Sequence, residues 1–215
     1  MEIGELFRDR NFVVLDKPAG LKVHAGPGGG ASVEDVFPHL SRRKDGPWLA
    51  HRLDADTAGC LVVALRKAAL LAAQAEFAAG RAGKTYWAVV AGGPDSDIGV
   101  IDVPLRKVNT ALGWRMEGAA SGEPAVSEWL VRGRGAGMCW LEIRPRTGRT
   151  HQVRVHCAAL GCPVVGDPLY GDGRGALQLL ARGIQLDLDP AVRATAPVPA
   201  HMAAAMSACG YRGGG

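Results

Sequence analysis

The sequence predicts an α+β fold built on a mixed, mainly antiparallel sheet. Strand-like apolar segments outnumber helical ones, Gly and Pro turns separate them, and single helices interrupt runs of strands. The chain has 215 residues, of which 47% are hydrophobic, so it can bury a substantial core. No linker or internal repeat divides it. We therefore expect one domain over residues 1–215, with a frayed tail near 210–215.

The predicted strands are short runs rich in β-branched and aromatic residues, each bounded by turn formers. They cover residues 11–17, 60–65, 84–92, 98–104, 125–132 and 138–145, and a last strand-like run lies at 177–181 in an otherwise loop-rich C-terminal region. Side chains alternate across a strand, so Lys84 and Tyr86 are expected on the same face.

Three helices are predicted between these strands. A short one near 33–37 is capped by Ser32, one over 67–80 ends at Gly80, and one begins near Thr150. Apolar residues recur at helical spacing in the two longer ones: Leu70, Ala73 and Phe77 in the second helix, and Val153, Cys157 and Leu160 in the third.

Composition excludes several classes of protein. The five cysteines are odd in number and form no C-x-x-C pair, which argues against a disulfide framework or a thiolate zinc site. The charged N-terminus predicts no signal peptide, and the apolar runs are too short to span a membrane. We expect a cytoplasmic protein. The net charge of +4 permits a polyanionic partner without requiring one.

One segment concentrates positive charge. Residues 143–166 contain no acid but hold Arg144, Arg146, Arg149, His151, Arg154 and His156. Guanidinium groups beside the start of a helix are suited to binding phosphates, and a solvated basic face is the alternative interpretation. A second cluster, Arg42, Arg43 and Lys44, is interpreted as solvent-exposed surface.

The stretch "HRLDADTAG" at 51–59 contains the candidate catalytic acid, Asp54. By itself Asp54 fits either a turn, with Asp56 and Thr57 as capping partners, or a catalytic carboxylate. A glycosidase pair would need an acid and a base on opposite sides of a sugar bond, which loop neighbours seldom provide. A metal site built from Asp54 with His51, His151 and His156 is disfavoured, because these histidines lack zinc-site spacing.

Four blocks, taken together, make a family resemblance specific. "LDKPAGLKVHAG" (15–26), "HRLDADTAGCLVVA" (51–64), "KTYWAVVAG" (84–92) and "TGRTHQVRVHCAALGCPVVGDPLYG" (147–171) resemble, in order, the motifs of the RluA-type pseudouridine synthases. The resemblance covers residues 10 to 186 and fits the compact single-domain branch, with no N-terminal RNA-binding domain before Asn11. It implies a mixed, mostly antiparallel sheet around a basic cleft. It also implies isomerisation of uridine to pseudouridine in RNA, without cofactor or metal.

The resemblance also implies residue roles. The family's catalytic aspartate matches Asp54, its active-site tyrosine matches Tyr86, and the arginine that pairs with the aspartate matches Arg154. Arg52 matches an arginine that can occupy the space of a flipped-out nucleotide, which offsets part of the unstacking cost. The residues expected to bind RNA are His51, Arg52, Lys84, Arg149 and His151.

Three positions depart from the family pattern. Ala55 and Ala58 replace a frequent Arg and a usual Ser, and Leu180 lies where a late "LHA" strand would have His.

The expected substrate is ribosomal or transfer RNA, and a monomer is the expected oligomeric state. Two rival functions remain: a non-catalytic RNA-binding or ribosome-assembly factor, and a nucleoside- or sugar-cleaving hydrolase that uses Asp54 as nucleophile. The residues also leave open whether Asp54 attacks C1′ or the uracil ring, or removes the 2′ proton.

Overall fold

The structure is a computed structural model that describes residues 2–26, 28–43, 45–111 and 113–213. By contact density the chain forms two compact units, residues 1–84 with 180–197 and residues 85–179 with 198–215. The division falls inside two strands, so no linker in the sequence marks it. Residues 214–215 of the predicted frayed tail, and Lys44 of the second basic cluster, lie outside the described residues.

The first unit is built mainly from strands. They are β1 (Glu5–Arg8), β2 (Phe12–Lys17), β3 (Trp48–Leu49), β4 (Ala58–Ala64), β12 (Val192–Thr195) and most of β11 (Leu179–Leu186). Strand β4 pairs antiparallel with β2 and β3 and parallel with β11, and β1 and β12 pair antiparallel with β2 and β11. The parallel pairing of β4 with β11 makes the arrangement mixed, and the predicted mixed, mainly antiparallel class is confirmed.

The core of the first unit lies between β2 and β4. Val14 and Leu15 pair with Val62 and Leu61, and all four are fully buried. Runs buried on both faces read as continuous apolar stretches, which is why these strands were predictable. A 3-10 turn (Val33–Val36) leads into α1 (Phe37–Leu40). Ser32 precedes that turn as predicted, and its N–H donates to an Asp35 carboxylate oxygen at 2.9 Å.

Helix α2 (Lys67–Ala78) agrees with its prediction in position, but only in part in its buried face. Ala73 is buried as predicted, together with Ala69 and Glu76, whereas the predicted Leu70 and Phe77 are only partly buried. Glu76 tolerates burial because Arg81 donates to its carboxylate. The predicted stripe was therefore shifted by about one residue around the helix.

The second unit contains a run of antiparallel strands and a separate hairpin. The run is most of β5 (Gly83–Ala91), then β10 (Met138–Pro145), β9 (Val126–Gly135) and β6 (Ile98–Asp102), in that order of pairing. The hairpin is β7 (Leu105–Thr110) with β8 (Gly113–Gly118). Tyr86, Ala88 and Val90 of β5 share one apolar cluster, as the predicted alternation requires.

Two helices complete the second unit. Helix α3 (Gln152–Ala159) begins two residues later than predicted, because His151 has a left-handed backbone with φ of 55°. Its Val153 and Cys157 are buried as expected. Helix α4 (Ala200–Ala208) lies in the region predicted to be loop-rich. Its end packs so close to Gly133 that a Cβ there would overlap the Cys209 carbonyl oxygen.

Among the described residues, no helix is long and apolar enough to cross a membrane.

Candidate active site

Asp54 lies in a tight turn that is bounded by two buried residues, Leu53 and Thr57. Leu53 and Thr57 are 6% and 2% exposed, whereas Asp54 between them is only partly buried. The Thr57 N–H donates to the Asp54 carbonyl oxygen at 3.2 Å and closes the turn. Strand β4 begins immediately afterwards, and Gly59 has φ of 107° with the Ala181 carbonyl against it, so no side chain fits there. The turn-forming interpretation is therefore true of the Asp54 backbone, and the Asp54 side chain remains partly exposed.

A buried lysine stabilises this turn through hydrogen bonds to backbone carbonyl groups. The Lys17 ammonium, at the end of β2, is fully buried and donates to three carbonyl oxygens: Pro18 at 2.9 Å, Leu21 at 2.7 Å and Ala55 at 2.7 Å. Burial lowers the pKa of Lys17 to about 8, and the charges of Asp56 and Asp54 oppose that shift. Lys17 was not singled out from the sequence, although it belongs to the quoted "LDKPAG" block.

His51 anchors the turn through its uncharged form. The Val62 N–H donates to His51 Nε2 at 3.0 Å, and the imidazole packs on Phe77 with ring centroids 4.9 Å apart. Burial, followed by the positive charge of Lys84, lowers the pKa of His51 to about 4. A ring nitrogen that accepts from a backbone amide carries no proton. At neutral pH the His51 imidazole is therefore uncharged, and its described contacts hold β4.

Two further sequence candidates of the first unit differ in environment. Arg52 is exposed next to Asp54. Lys84 is partly buried at the start of β5, and burial lowers its pKa to about 8, so it remains mostly charged at pH 7. Both therefore provide positive charge, with Arg52 the more accessible.

In the second unit, Tyr86 and Arg154 lie on different elements. Tyr86 is on β5, paired with Ile143 of β10, and is partly buried. The Arg154 guanidinium is buried on α3 and donates through Nε and Nη2 to the two Asp167 oxygens, each at 2.8 Å. Its central carbon lies 5.1 Å from the centre of the Tyr170 ring. The described contacts therefore fix the guanidinium by a fork and a flat ring.

Asp167 organises the turn that faces Arg154. It is fully buried, and its Oδ1 also accepts the N–H groups of Leu169 and Tyr170 at 2.9 and 3.1 Å. Burial alone would raise the pKa of Asp167, but the Arg154 hydrogen bonds and the two amides outweigh burial, so its pKa lies below the usual value. Sequence reasoning missed Asp167, although "GDPLYG" was part of the quoted motif.

The arginines of the basic segment are paired with acidic side chains to a greater extent than the local sequence indicates. The segment's three exposed arginines have acidic partners outside the basic segment: Arg144 pairs with Glu142 of the same strand, Arg146 with Glu128, and Arg149 with Glu123. The Arg149 Nη1 lies 2.5 Å from a Glu123 oxygen, and its Nε donates to the Pro124 carbonyl at 3.1 Å. An RNA phosphate would therefore have to compete with Glu123 for Arg149.

His151, at the start of α3, belongs to a column of stacked groups. Its Nδ1 is 2.8 Å from the Tyr170 hydroxyl, and its ring stacks on Trp114 of β8 at 5.2 Å with an interplanar angle of 20°. The Lys107 ammonium lies 4.6 Å from the centre of the Trp114 ring. His151 is therefore held between the loop after α3 and the hairpin.

Within the described ranges, no group of three or more His, Cys, Asp or Glu side chains could hold a metal ion.

The site residues lie within a sequence that matches known proteins. The sequence model of a family described as RNA pseudouridylate synthase matches residues 11–159. An uncharacterized RNA pseudouridine synthase of Zymomonas mobilis is 39% identical over 155 residues, 71% of each chain. Ribosomal large subunit pseudouridine synthase C of Vibrio cholerae is 33% identical over 153 residues, 70% of this chain and 47% of that protein. The chain thus spans about half of the Vibrio protein.

A solved structure gives the same picture. Human RNA pseudouridylate synthase domain containing 4 superposes with a TM-score of 0.81 and 26% identity, over 96% of this chain and 92% of that one.

Proposed function

Because the chain belongs to the RNA pseudouridylate synthase family, we propose that it isomerises specific uridines of ribosomal or transfer RNA to pseudouridine. Membership in this family confirms the resemblance found in the sequence. In the proposed reaction the C1′–N1 bond breaks, the uracil turns over and a C1′–C5 bond forms. The C5 proton leaves to solvent and N1 gains one, so the overall change is an isomerisation without cofactor.

Asp54 is the proposed catalytic carboxylate. The observation that carries this role is its turn: two buried neighbours and the Lys17 ammonium hold the backbone, while the Asp54 side chain stays partly exposed. A rigid turn keeps a carboxylate in one geometry, which is what positioning at a sugar or a base requires. An ionised Asp54 can add covalently or accept a proton, and both routes fit the reaction.

Tyr86 and Arg154 are proposed as further catalytic residues. Tyr86 offers a flat ring for the extruded uracil and a phenol for proton traffic. A fixed guanidinium such as that of Arg154 favours the ionised form of a carboxylate placed within a few Å of it. Both roles come from the family motifs, and the buried Asp167 fork supports the second, because it presents Arg154 in one orientation.

The proposed RNA-binding residues contribute in different ways. Arg52, Lys84 and Arg149 supply positive charge for phosphates, and in this proposal Arg52 fills the space of the flipped nucleotide, as the family motif implies. Both His51 and His151 are held by described contacts, so their role is to shape the surface. We propose action in the cytoplasm as a monomer.

Tritium release tests this proposal. RNA transcripts labelled at uridine C5, one set ribosomal and one set transfer RNA, lose tritium to water only when C5 forms a new bond. Wild-type protein should release tritium, and Asp54→Asn should release none while it still binds RNA. The matched control is Asp56→Asn, an exposed carboxylate two residues away, which should keep most activity.

Each alternative predicts a different result. Tritium release by Asp54→Asn at the wild-type rate would remove Asp54 from the mechanism. RNA binding without any release by the wild type would favour an assembly factor. Free uracil in the supernatant would indicate a hydrolase, because an isomerase rejoins the uracil to the ribose and does not release it.

A further inference from the structure

The Tyr170 hydroxyl joins two elements that are far apart in sequence. It accepts the Met116 N–H of β8 at 3.0 Å and lies 2.8 Å from Nδ1 of His151, the residue before α3. A phenol can accept one hydrogen bond and take part in a second at the same time. One oxygen atom therefore links the β7–β8 hairpin to the start of α3.

The Tyr170 backbone is fixed independently of its hydroxyl. Its N–H donates to the buried Asp167 carboxylate, which also forks to Arg154, and its ring packs against the buried Leu105, Ala125 and Val155. Substituting only the hydroxyl would leave these contacts in place. The hydroxyl therefore transmits the position of a rigid turn to the hairpin and to His151.

The hairpin side of this link is basic and exposed. Lys107 and Arg115 are exposed, and the Trp114 ring, 42% exposed, has His151 on one side and the Lys107 ammonium 4.6 Å from its centre. Since both groups lie against the indole, Trp114 links the Lys107 ammonium to the His151 ring. Basic and aromatic groups in this combination suit a nucleic-acid backbone.

We propose that Tyr170 is a positioning residue. It locks the hairpin and His151 into one body, so that Lys107, Arg115 and the residues at the start of α3 meet the RNA as a preformed surface. The inference rests on the proposed function for its substrate, RNA. Preforming a surface lowers the ordering cost of binding, so the hydroxyl should affect RNA affinity and not the chemical step.

The test is Tyr170→Phe, assayed by tritium release from the same two transcript sets. We expect KM to rise about three- to tenfold, the effect of losing one or two hydrogen bonds, while kcat stays within about twofold. Hydrogen exchange at the Met116 amide should accelerate. The matched control is Tyr211→Phe, also in this unit, whose ring packs on Trp87 and Trp140. It should change neither quantity.

A second variant, Trp114→Leu, separates the stack from the hydroxyl. It should raise KM by a similar factor and leave Met116 protected, because the Tyr170 bonds remain. The inference is overturned if Tyr170→Phe keeps wild-type KM and Met116 protection. It is equally overturned if kcat falls at unchanged KM. The same holds if both tyrosine variants show a higher KM together with a lower melting temperature.

Failure of the proposed function would look different. If wild-type protein releases no tritium, the isomerase assignment fails. Filter binding of the same transcripts and Met116 exchange would then still decide the role of Tyr170.

Discussion

The guanidinium of Arg154 and the carboxylate of Asp167 form a two-bond ion pair that solvent hardly reaches. Both bonds are 2.8 Å, and the side chains are 5% and 0% exposed. An Arg–carboxylate fork fixes distance and plane together, which a single hydrogen bond does not. Because Arg154 is a proposed catalytic residue, Asp167 determines how precisely its charge is presented.

Asp167→Asn should therefore cost both stability and activity. The amide keeps the shape of the side chain but leaves the buried Arg154 charge uncompensated, and breaking one partner of a buried pair costs about 3–5 kcal/mol. We expect a lower free energy of unfolding in urea, and a fall in kcat measured well below the unfolding transition. Asp172→Asn, an exposed aspartate five residues later, is the matched control. Equal stability of the two variants would contradict the importance of the fork.

Lys17→Met should loosen the turn that carries Asp54. Three carbonyl oxygens lose their buried donor, partly offset because a buried charge is also removed, and we expect a net loss of about 2 kcal/mol. Turnover should fall even though Asp54 is intact, because the Ala55 carbonyl keeps only the Gly20 N–H of its two donors. Urea unfolding and tritium release measure the two effects. The exposed Lys22→Met is the control, and full turnover by the Lys17 variant would show that the turn holds itself.

Strands and helices with a clear apolar period were predictable, and elements without one were not. Strand β4 is buried along its whole length and its sequence is apolar throughout. The β7–β8 hairpin is polar on both faces, and Leu105 is its one fully buried residue among those described, so no alternation marked it. Helix α4 was missed because it is nearly all Ala and Met, without a polar face to set a period.

The candidate site was predictable as a set of motifs but not as a set of contacts. Lys17 reaches Ala55 across 38 positions, and Tyr170 reaches Met116 across 54. Such pairings depend on strand order, which local patterns do not contain. The same reason explains the basic segment: it has no acid in its own sequence, yet tertiary structure brings Glu123 to Arg149.

His51 should make stability depend on pH on the acidic side. Its folded-state pKa is lowered from 6.5 to about 4, so between these values the unfolded chain binds a proton that the folded chain does not. The contribution of His51 to the free energy of unfolding is therefore fully present above pH 6.5 and decreases as the pH drops toward 4. Urea unfolding at pH 6.5, 5.5 and 4.5 should show a shallower decline for His51→Gln, whose side-chain oxygen can still accept the Val62 N–H.

The control for this pH series is His39→Gln, an exposed histidine. It should decline as steeply as the wild type. A His51→Gln series parallel to the wild type would mean that the imidazole is protonated in the fold, in conflict with its acceptor role.

Arg149 and Glu123 should change RNA affinity in opposite directions. The two side chains are 2.5 Å apart at the surface, so Glu123 competes with any phosphate for the same guanidinium. Arg149→Ala should weaken RNA binding and reduce the slope of log affinity against log salt by about 0.7–0.9, the value for one lost phosphate contact. Glu123→Gln should strengthen binding, because the competing charge is gone while Arg149 remains.

Filter binding between 50 and 200 mM salt, roughly the range over which such slopes are resolved, measures both affinities and both salt slopes. Arg193→Ala, an exposed arginine outside the segment, controls for the loss of net charge. Parallel slopes for wild type and Arg149→Ala would show that the start of α3 meets no phosphate. A Glu123→Gln variant that binds no better would show that the pair opens without cost.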